Sequence, residues 1–523
     1  MKTRRLLNMG LLLSASHQVL NLACKKAFKR YIRQSNQLET VQRRKLNHFL
    51  RRIESSSAMR YEQFAEQYPL TRYADWKNKI EHSRQSGENQ MGTGDVIRFQ
   101  PTSGSSEALK FIPYTQHFLD ELDEAIGLWL CNLYRKHPQL KNSTHYWSVS
   151  WLPESQRKLL ENSNLNDDSA LLNFTKRILT KTTQSVPSEI ALAQSAEDAM
   201  FATAVYLVAD KHLGMISVWS PTFALQLLDI IHAHQDEIIE VLKTGHWQRQ
   251  GLNFLRVPKS CEQHYKLKQL DLSQADAWKK LWPKLSLISS WDTASAAQWA
   301  LELKQRIAGV AFEAKGLWAT EGVVTIPFAE RFPLSYQSHF YEFILQDTLQ
   351  VVPSWKLKVG DIVSPVITTG SGLIRYVIDD ELRVTDFYHQ VPCFEFLGRK
   401  MTVDLVGEKL DHSIAINVLA EFKQEDYLPI SILGIEQCSE KKPHYILLSE
   451  GNQSKQPSAL ALDERLKQNF HYELARDLGQ LDEPEVKHVD DAWDYYKTLA
   501  MKNGMIEGNI KPEPLKKMKT KII

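Results

Sequence analysis

Up to about residue 90, apolar positions recur at helical intervals, as in Leu46, Phe49, Leu50 and Ile53 with polar residues between them, which predicts amphipathic helices. A short strand is predicted over 96–99. A further amphipathic helix is marked by Phe118, Leu122, Ala125, Ile126 and Trp129. Residues 153–198 are polar, with a loop at 162–168, and are read as surface or substrate-pocket helices. From Met200 the chain turns more apolar. Residues 215–221 read as a buried strand ending in a turn, followed by one helix over 222–243 (Leu227, Leu228, Ile231, Ile238, Leu242) that stops before Gly245.

The alternation continues with a helix over 296–307 and strands over 309–312 and 323–328. Short apolar strands alternating with helices predict an α/β layered body. Strand then follows strand at 341–345, 363–368 and 373–376, which predicts a smaller β subdomain. Beyond about residue 397 the pattern is that of a compact α+β tail, with helices at 413–422 and 460–478 and a strand at 445–448.

Composition adds exclusions. The 523 residues carry 64 basic against 62 acidic side chains, a formal charge of +2, so no global field favours nucleic acid or an anionic membrane. The five cysteines (Cys24, Cys131, Cys261, Cys393, Cys438) are far apart and never in CxxC spacing, which fits a reducing, cytoplasmic setting without structural zinc. His232 and His234 stand two apart on a predicted helix and point to different faces, which argues against a metal pair. The N-terminal MKTRR with Leu6, Leu7, Leu11, Leu12 and Leu13 imitates a signal peptide. Ser14, Ser16, His17, Gln18 and Asn21 interrupt the apolar run, so an amphipathic docking helix is expected, and no window suits a membrane span.

Candidate chemistry begins at Thr102, Ser103, Gly104, Ser105, Ser106 and Lys110, where small residues, hydroxyls and a lysine are placed between a predicted strand and a helix. That is the make-up of a phosphate cradle, although not of the GxxxxGK[ST] loop. Ala319-Thr320-Glu321-Gly322 offers a carboxylate able to hold Mg²⁺ together with phosphate oxygens. Asp379 and Asp380 follow a predicted strand, where a carboxylate can accept both hydroxyls of a ribose. Glu395-Phe396-Leu397-Gly398-Arg399-Lys400 has the glycine and basic pair of a hinge, and Lys511 stands in a terminal loop.

In this order the motifs resemble the adenylate-forming superfamily. Within it they resemble the auxin-responsive-promoter family of acyl-acid amido synthetases, over about residues 41–511. The marks are the cradle with Lys110-Phe111-Ile112-Pro113-Tyr114, then Ile216-Ser217-Val218-Trp219-Ser220-Pro221, Tyr341-Glu342-Phe343-Ile344, and Gly372-Leu373-Ile374-Arg375-Tyr376 with Arg383-Val384-Thr385-Asp386-Phe387. The resemblance implies an adenylation domain over 1–396, a hinge at 397–400 and a mobile C-terminal lid over 401–523. It implies ATP and Mg²⁺ as cofactors and a carboxylic acid and an amine, or amino acid, as substrates; a monomer is the default.

The roles it implies fall on matching positions. Thr102, Ser103, Gly104, Ser105, Ser106 and Lys110 would hold phosphates, Ala319 and Thr320 would line the nucleotide, and Glu321 would bind the metal. Asp380 would hold ribose, Arg399 would serve the hinge, Lys511 would contact the reacting carboxylate and phosphate, and Trp219, Ser220, Tyr341 and Phe343 would line the acyl pocket. Lys511, Glu321 and Lys110 are thus the expected catalytic set. The chain departs from the pattern in a cradle one residue shorter, in Glu107 where a glycine is expected, and in Asp379 where a glycine commonly precedes the ribose aspartate. The alternatives are a coenzyme A ligase of the same superfamily and a catalytically silent binding protein.

Overall fold

The computed structural model describes the chain except residues 1, 54–58, 93, 103–109, 150, 152–181, 259–261, 294–295, 400–401, 407, 409, 436–440, 478, 503–504, 506–509 and 519–523. The predicted loop at 162–168, most of the polar region around it, and Cys261 and Cys438 therefore lie outside the described residues.

Four helices open the chain: α1 (Lys2–Gln34), α2 (Leu38–Ile53), α3 (Tyr61–Gln67) and α4 (Tyr73–Ser86). On α1 the buried residues Leu13, His17, Leu20, Cys24, Phe28 and Tyr31 fall at intervals of three and four, so one stripe docks on the body, as the interrupted apolar run predicts. Among the described residues no helix is long and apolar enough to cross a membrane. A hairpin follows, β1 (Val96–Thr102) and β2 (Lys110–Thr115), and then α5 (Gln116–Lys136), capped by Thr115, whose Oγ1 accepts from the Phe118 N–H. No strand is predicted over residues 110–115, between the cradle and the helix marked from Phe118. Their aromatic and β-branched side chains instead pair with β1 as a two-stranded ribbon, where Pro113 is tolerated because the outer edge needs no N–H.

The body is a parallel sheet of β3 (Thr144–Trp147), β4 (Leu213–Ser217), β5 (Leu287–Ser290) and β6 (Ala311–Ala314) in that spatial order. It is flanked by α6 (Ala196–Ala209), α7 (Pro221–Ala233), α8 (Gln235–Thr244), α9 (Gln263–Lys268), α10 (Ala275–Leu281) and α11 (Ala297–Arg306). The single helix expected over 222–243 is broken at His234, whose φ of −108° and ψ of 28° leave the helical region.

After β7 (Trp318–Ala319) and β8 (Gly322–Val323) comes the β subdomain: β9 (Phe340–Leu345), β10 (Val351–Pro353), β11 (Ile362–Thr368), β12 (Tyr376–Val377), β13 (Asp380–Tyr388) and β14 (Val391–Arg399). They form one antiparallel sheet in the order β10-β9-β11-β13-β14, with β12 paired to β11. Two expected strands are shorter than their apolar runs. The run 323–328 makes only a two-residue pairing and isolated bridges, and the run 373–376 is stopped by Arg375, whose φ is +47°.

The C-terminal unit has β15 (Thr402–Val403), β16 (Leu410–Asp411), α12 (His412–Phe422), β17 (Tyr427–Ile435), β18 (His444–Gly451), α13 (Ala459–Leu466), α14 (Phe470–Asp477), β19 (Glu485–His488), α15 (Ala492–Lys502) and β20 (Leu515–Met518). Its mixed sheet runs β19-β18-β17-β20. The helix expected over 460–478 is two helices, because Asn469 Oδ1 caps the second by accepting from the Tyr472 N–H at 3.0 Å. The unit does not stand apart. Tyr496 and Leu499 of α15 share one apolar cluster with Trp299 and Leu303 of α11, and Trp493 lies 6.0 Å from Trp299.

The docking of α1 carries a titration. His17 Nε2 donates to Ser143 O at 2.7 Å while Nδ1 accepts from the Tyr134 hydroxyl at 2.8 Å, and the His145 ring lies 4.5 Å away. Burial brings His17 down to about 4 and His145, which also faces His17, down to about 3. Unfolding returns both to about 6.5, so the unfolded chain binds more protons below that pH, and stability present at neutral pH is lost as pH falls toward 4. The melting temperature should therefore drop between pH 7.5 and pH 5. A flat profile would show that the imidazoles accept protons in place.

Candidate active site

Thr320 and Glu321 form the two-residue turn between β7 and β8, where Trp318 pairs with Val323 and Ala319 with Gly322. The turn is gripped from two sides. The Tyr114 hydroxyl donates to Thr320 O at 3.0 Å, and the Val323 N–H donates to His339 Nε2 at 3.1 Å. His339 is fully buried and its Nδ1–H donates to Glu121 Oε2 at 2.7 Å, which fixes its tautomer; that oxygen also accepts from the Gly370 N–H at 2.8 Å. A Cβ on Gly322 would come within 2.9 Å of both His339 Nε2 and Ile367 Cδ1, so the turn approaches as closely as a glycine permits.

Held this way, the Glu321 carboxylate faces a ring of groups from distant segments. The Tyr376 hydroxyl donates to Glu321 Oε1 at 3.2 Å. Tyr73 lies close enough for Glu321 to raise its hydroxyl pKa, although burial is the larger cause. The Tyr73 hydroxyl accepts from the Phe111 N–H at 3.0 Å, and Lys110 Nζ stands 5.5 Å above its ring. Tyr73 and Tyr376 are brought together by Thr71, whose N–H donates to Arg375 O and whose C=O accepts from the Val377 N–H, both at 2.9 Å. Asp379 pairs with Arg72 at the start of α4, which gives the carboxylate at this position a partner. Asp380 is 7% exposed and opens β13 opposite Arg399.

A second row of aromatic rings leads to the C-terminal unit along the carboxyl ends of the parallel strands. Trp318 is 6.2 Å from Trp219, Lys315 Nζ is 4.6 Å above Trp219 and donates to Ser217 Oγ at 2.9 Å, and the Trp291 N–H donates to Trp219 O at 3.1 Å. Lys511 Nζ stands 5.1 Å over Trp291, whose ring also meets Phe396 at 5.0 Å. A cavity of about 430 Å³, lined by Trp291, Lys315, Leu317, Glu395 and Phe396, opens beside this row. Ligand sites of open α/β sheets fall at the same strand ends.

Of the residues expected around a single nucleotide, Lys110, Thr320 and Glu321 gather about Tyr73, Tyr114 and Tyr376, Asp380 opens β13 four residues past Tyr376, and Trp219 and Lys511 lie along the tryptophan row. Ser220 is buried at the start of α7 with its hydroxyl 2.6 Å from that of Thr222. Tyr341 and Phe343 are placed otherwise than expected. Both are fully buried, with the Tyr341 hydroxyl between Val323 O (2.6 Å) and Ser335 O (3.0 Å) and Phe343 stacked 5.2 Å from Phe394, so they belong to the core of β9 and present no face to an acyl pocket. Ser103, Gly104, Ser105 and Ser106 lie outside the described residues, and of Thr102 and Arg399 only the backbone is described. Thr102 and Lys110 pair directly, so the chain on either side of the expected cradle is strand and not strand followed by helix. Tyr73, Trp291, Lys315, His339 and Glu121 were missed; Trp291, just past an apolar strand, was the one with a readable signal.

Family models cover this architecture in order: GH3 family N-terminal domain over residues 22–312, central domain over 332–399 and C-terminal domain over 417–519. The three-part fold is that of an acyl acid amido synthetase structure, GH3.15, at a TM-score of 0.74 with 18% identity over 93% of both chains. The same enzyme in complex with 2,4-DB gives 0.75, with 18% identity over 95% of this chain and 94% of that one. The chain belongs to the GH3 family. Curated relatives include a probable indole-3-acetic acid-amido synthetase, GH3.11, of Oryza sativa subsp. japonica, 24% identical over 54% of each chain. Another is the indole-3-acetic acid-amido synthetase GH3.15 of Arabidopsis thaliana, 24% identical over 65% of this chain and 63% of that one. The chain thus spans between about half and two thirds of the length of these relatives.

Tyr376 is aimed at Glu321 by the residue before it. Arg375 is 5% exposed and makes two 2.9 Å bonds to the buried Glu342 carboxylate, a 2.9 Å bond to Ala65 O and a 2.6 Å bond to Tyr68 O. Burial pushes the Glu342 carboxyl up, and Arg375 and the Tyr61 hydroxyl draw it back. Glu342→Ala strands the guanidinium and should cost about 3–5 kcal/mol in urea unfolding. A loss under about 1 kcal/mol would show that the pair is replaceable by solvent.

Proposed function

We propose that this protein is an ATP-dependent acyl-acid amido synthetase: it joins a carboxylic acid to AMP with release of pyrophosphate and passes the acyl group to an amine, most simply an amino acid. The observation that supports this reading is the approach of Lys110 and Glu321 to the same Tyr73, beside the tryptophan row that ends at Lys511. A carboxylate does not acylate an amine at neutral pH, because oxide is a poor leaving group. Attack of the acid's oxygen on the α-phosphorus of ATP breaks the bond to pyrophosphate and converts that oxide into AMP, a good leaving group. The amine nitrogen then displaces AMP and loses a proton.

The protein's part is positioning and charge neutralisation. Lys110 and the hydroxyls of Thr102, Ser103, Ser105 and Ser106, with Gly104 giving room, would hold phosphates; Asp380 would accept ribose hydroxyls, and Ala319 and Thr320 would meet the base. Lys511 would neutralise the charge shared by the attacking carboxylate and the α-phosphate. Trp219 and Ser220 remain candidates for the acyl side.

Glu321 fits Mg²⁺. Among the described residues its one hydrogen bond comes from a neutral hydroxyl and it has no ion-pair partner, and no group of three or more His, Cys, Asp or Glu is assembled nearby. Such a site would bind the ion jointly with phosphate oxygens and water, and the ion would supply charge neutralisation on the departing pyrophosphate.

Between the two half-reactions the C-terminal unit is proposed to turn about residues 397–400. Gly398 supports this, with a φ of +150° and no atom within 4 Å of where a Cβ would stand; Arg399 would serve that hinge. The buried thiols of Cys24, Cys131 and Cys393, none of them in a disulfide, support a cytoplasmic working place.

The test is ATP–pyrophosphate exchange across a panel of carboxylic acids, followed by addition of amino acids or coenzyme A. Exchange with at least one acid and an amide product are expected; a thioester instead of an amide, or no exchange with any acid, would overturn the reading. Lys511→Ala should lower exchange by on the order of 10²–10³-fold while ATP binding persists. Unchanged exchange would remove Lys511 from the mechanism.

A further inference from the structure

A second cavity, of about 420 Å³, lies between α1, α2 and the start of α5 and is lined mainly by charged side chains. Three of its residues, Arg44, His48 and Arg52, are spaced by four on α2 and share one face, so that two guanidinium groups flank an imidazole there. Lys45 lies beside them and His117 faces them from the first turn of α5, a 21-residue helix with no acidic residue in that turn.

The carboxylates in the wall are already engaged. Glu124 is held by Arg30, Glu121 by His339 and the Gly370 N–H, and Asp120 accepts from Gln116 Nε2 at 2.9 Å. Among the described residues no carboxylate forms an ion pair with Arg44, Lys45 or Arg52. The Lys45 ammonium donates to a neutral carbonyl, Ser338 O, at 2.9 Å, and the guanidinium of Arg52 donates to the ring nitrogen His48 Nε2. Burial is the largest influence lowering the pKa of both Lys45 and Arg52, and each also feels neighbouring carboxylates that only partly compensate.

We propose that this cavity is a binding site for a small phosphate-type dianion, separate from the Glu321 neighbourhood and held by Arg44, Lys45 and Arg52 with His48 and His117. Two guanidinium groups supply planar donors that match phosphate oxygens, and Lys45 adds a point charge from the floor. The volume exceeds that of inorganic phosphate, so a phosphate monoester also fits.

The site's link to the first neighbourhood is Glu121, one of its walls and the acceptor for His339, which holds the Glu321 turn.

The experiment is a titration of the full-length protein with inorganic phosphate at low ionic strength, followed by ³¹P line broadening, repeated with glycerol 3-phosphate to separate the free ion from a monoester. Three proteins are compared: wild type, the double variant Arg44→Gln/Arg52→Gln, and Lys110→Ala. Binding should weaken at least tenfold in the double variant and be unchanged in Lys110→Ala, with at least one of the two anions. Loss confined to Lys110→Ala, equal binding in the double variant, or no binding of either anion to wild type would overturn the proposal. Should the double variant fail to fold, Arg44→Gln carries the test alone, because Arg44 is exposed and has no ion pair among the described residues. It should then weaken binding at least threefold with an unchanged circular dichroism spectrum, and equal binding would be fatal to the assignment.

Discussion

A guanidinium taken out of water must be met by acceptors on every side, and Arg375 meets that demand with two carboxylate bonds and two helix-end carbonyls. Those acceptors come from β9 and from α3 and the residue that follows it, so one side chain fixes the N-terminal helices to the β subdomain. Its own backbone is drawn into the left-handed region, which ends the apolar run 373–376 as a strand and releases Tyr376 and Val377 to pair with Thr71 on one side and β11 on the other. The placement of Tyr376 and Tyr73 around Glu321 depends on that single burial.

The two parts of the candidate site are therefore held by different means. The Glu321 turn is fixed by buried polar bonds, through Tyr114, His339 and Glu121, each satisfied at both ends. The row from Trp219 to Lys511 relies on ring faces and a cation above them, contacts that tolerate sliding. The rigid means serve the large body and the tolerant one joins the C-terminal unit to it, although Trp299 and Trp493 show that the join also has an apolar seam.

Much of this was legible in the chain. The stripe Leu13, Leu20, Cys24, Phe28 and Tyr31, the buried strand before Trp219 and the alternation of helix and strand carry their period in the residues themselves. What could not be read depends on partners far away. Nothing local distinguishes Tyr341, whose hydroxyl is sealed by two carbonyls, from a pocket tyrosine. Nothing local announces that His339 and Glu121, more than two hundred positions apart, are joined by a hydrogen bond. The breaks at His234 and Arg375 were hidden because an apolar run reports burial, while single φ values decide where an element stops.

The direct pairing of Thr102 with Lys110 has a consequence for how this family can vary. At a junction between strand and helix, deleting one residue would rotate everything downstream by about 100° and turn the buried stripe of that helix toward solvent. Between two paired strands the same deletion shortens a loop whose ends stay fixed, and α5 keeps its register through Thr115. A segment joining two such strands can change in length while the architecture on either side of it stays where it is.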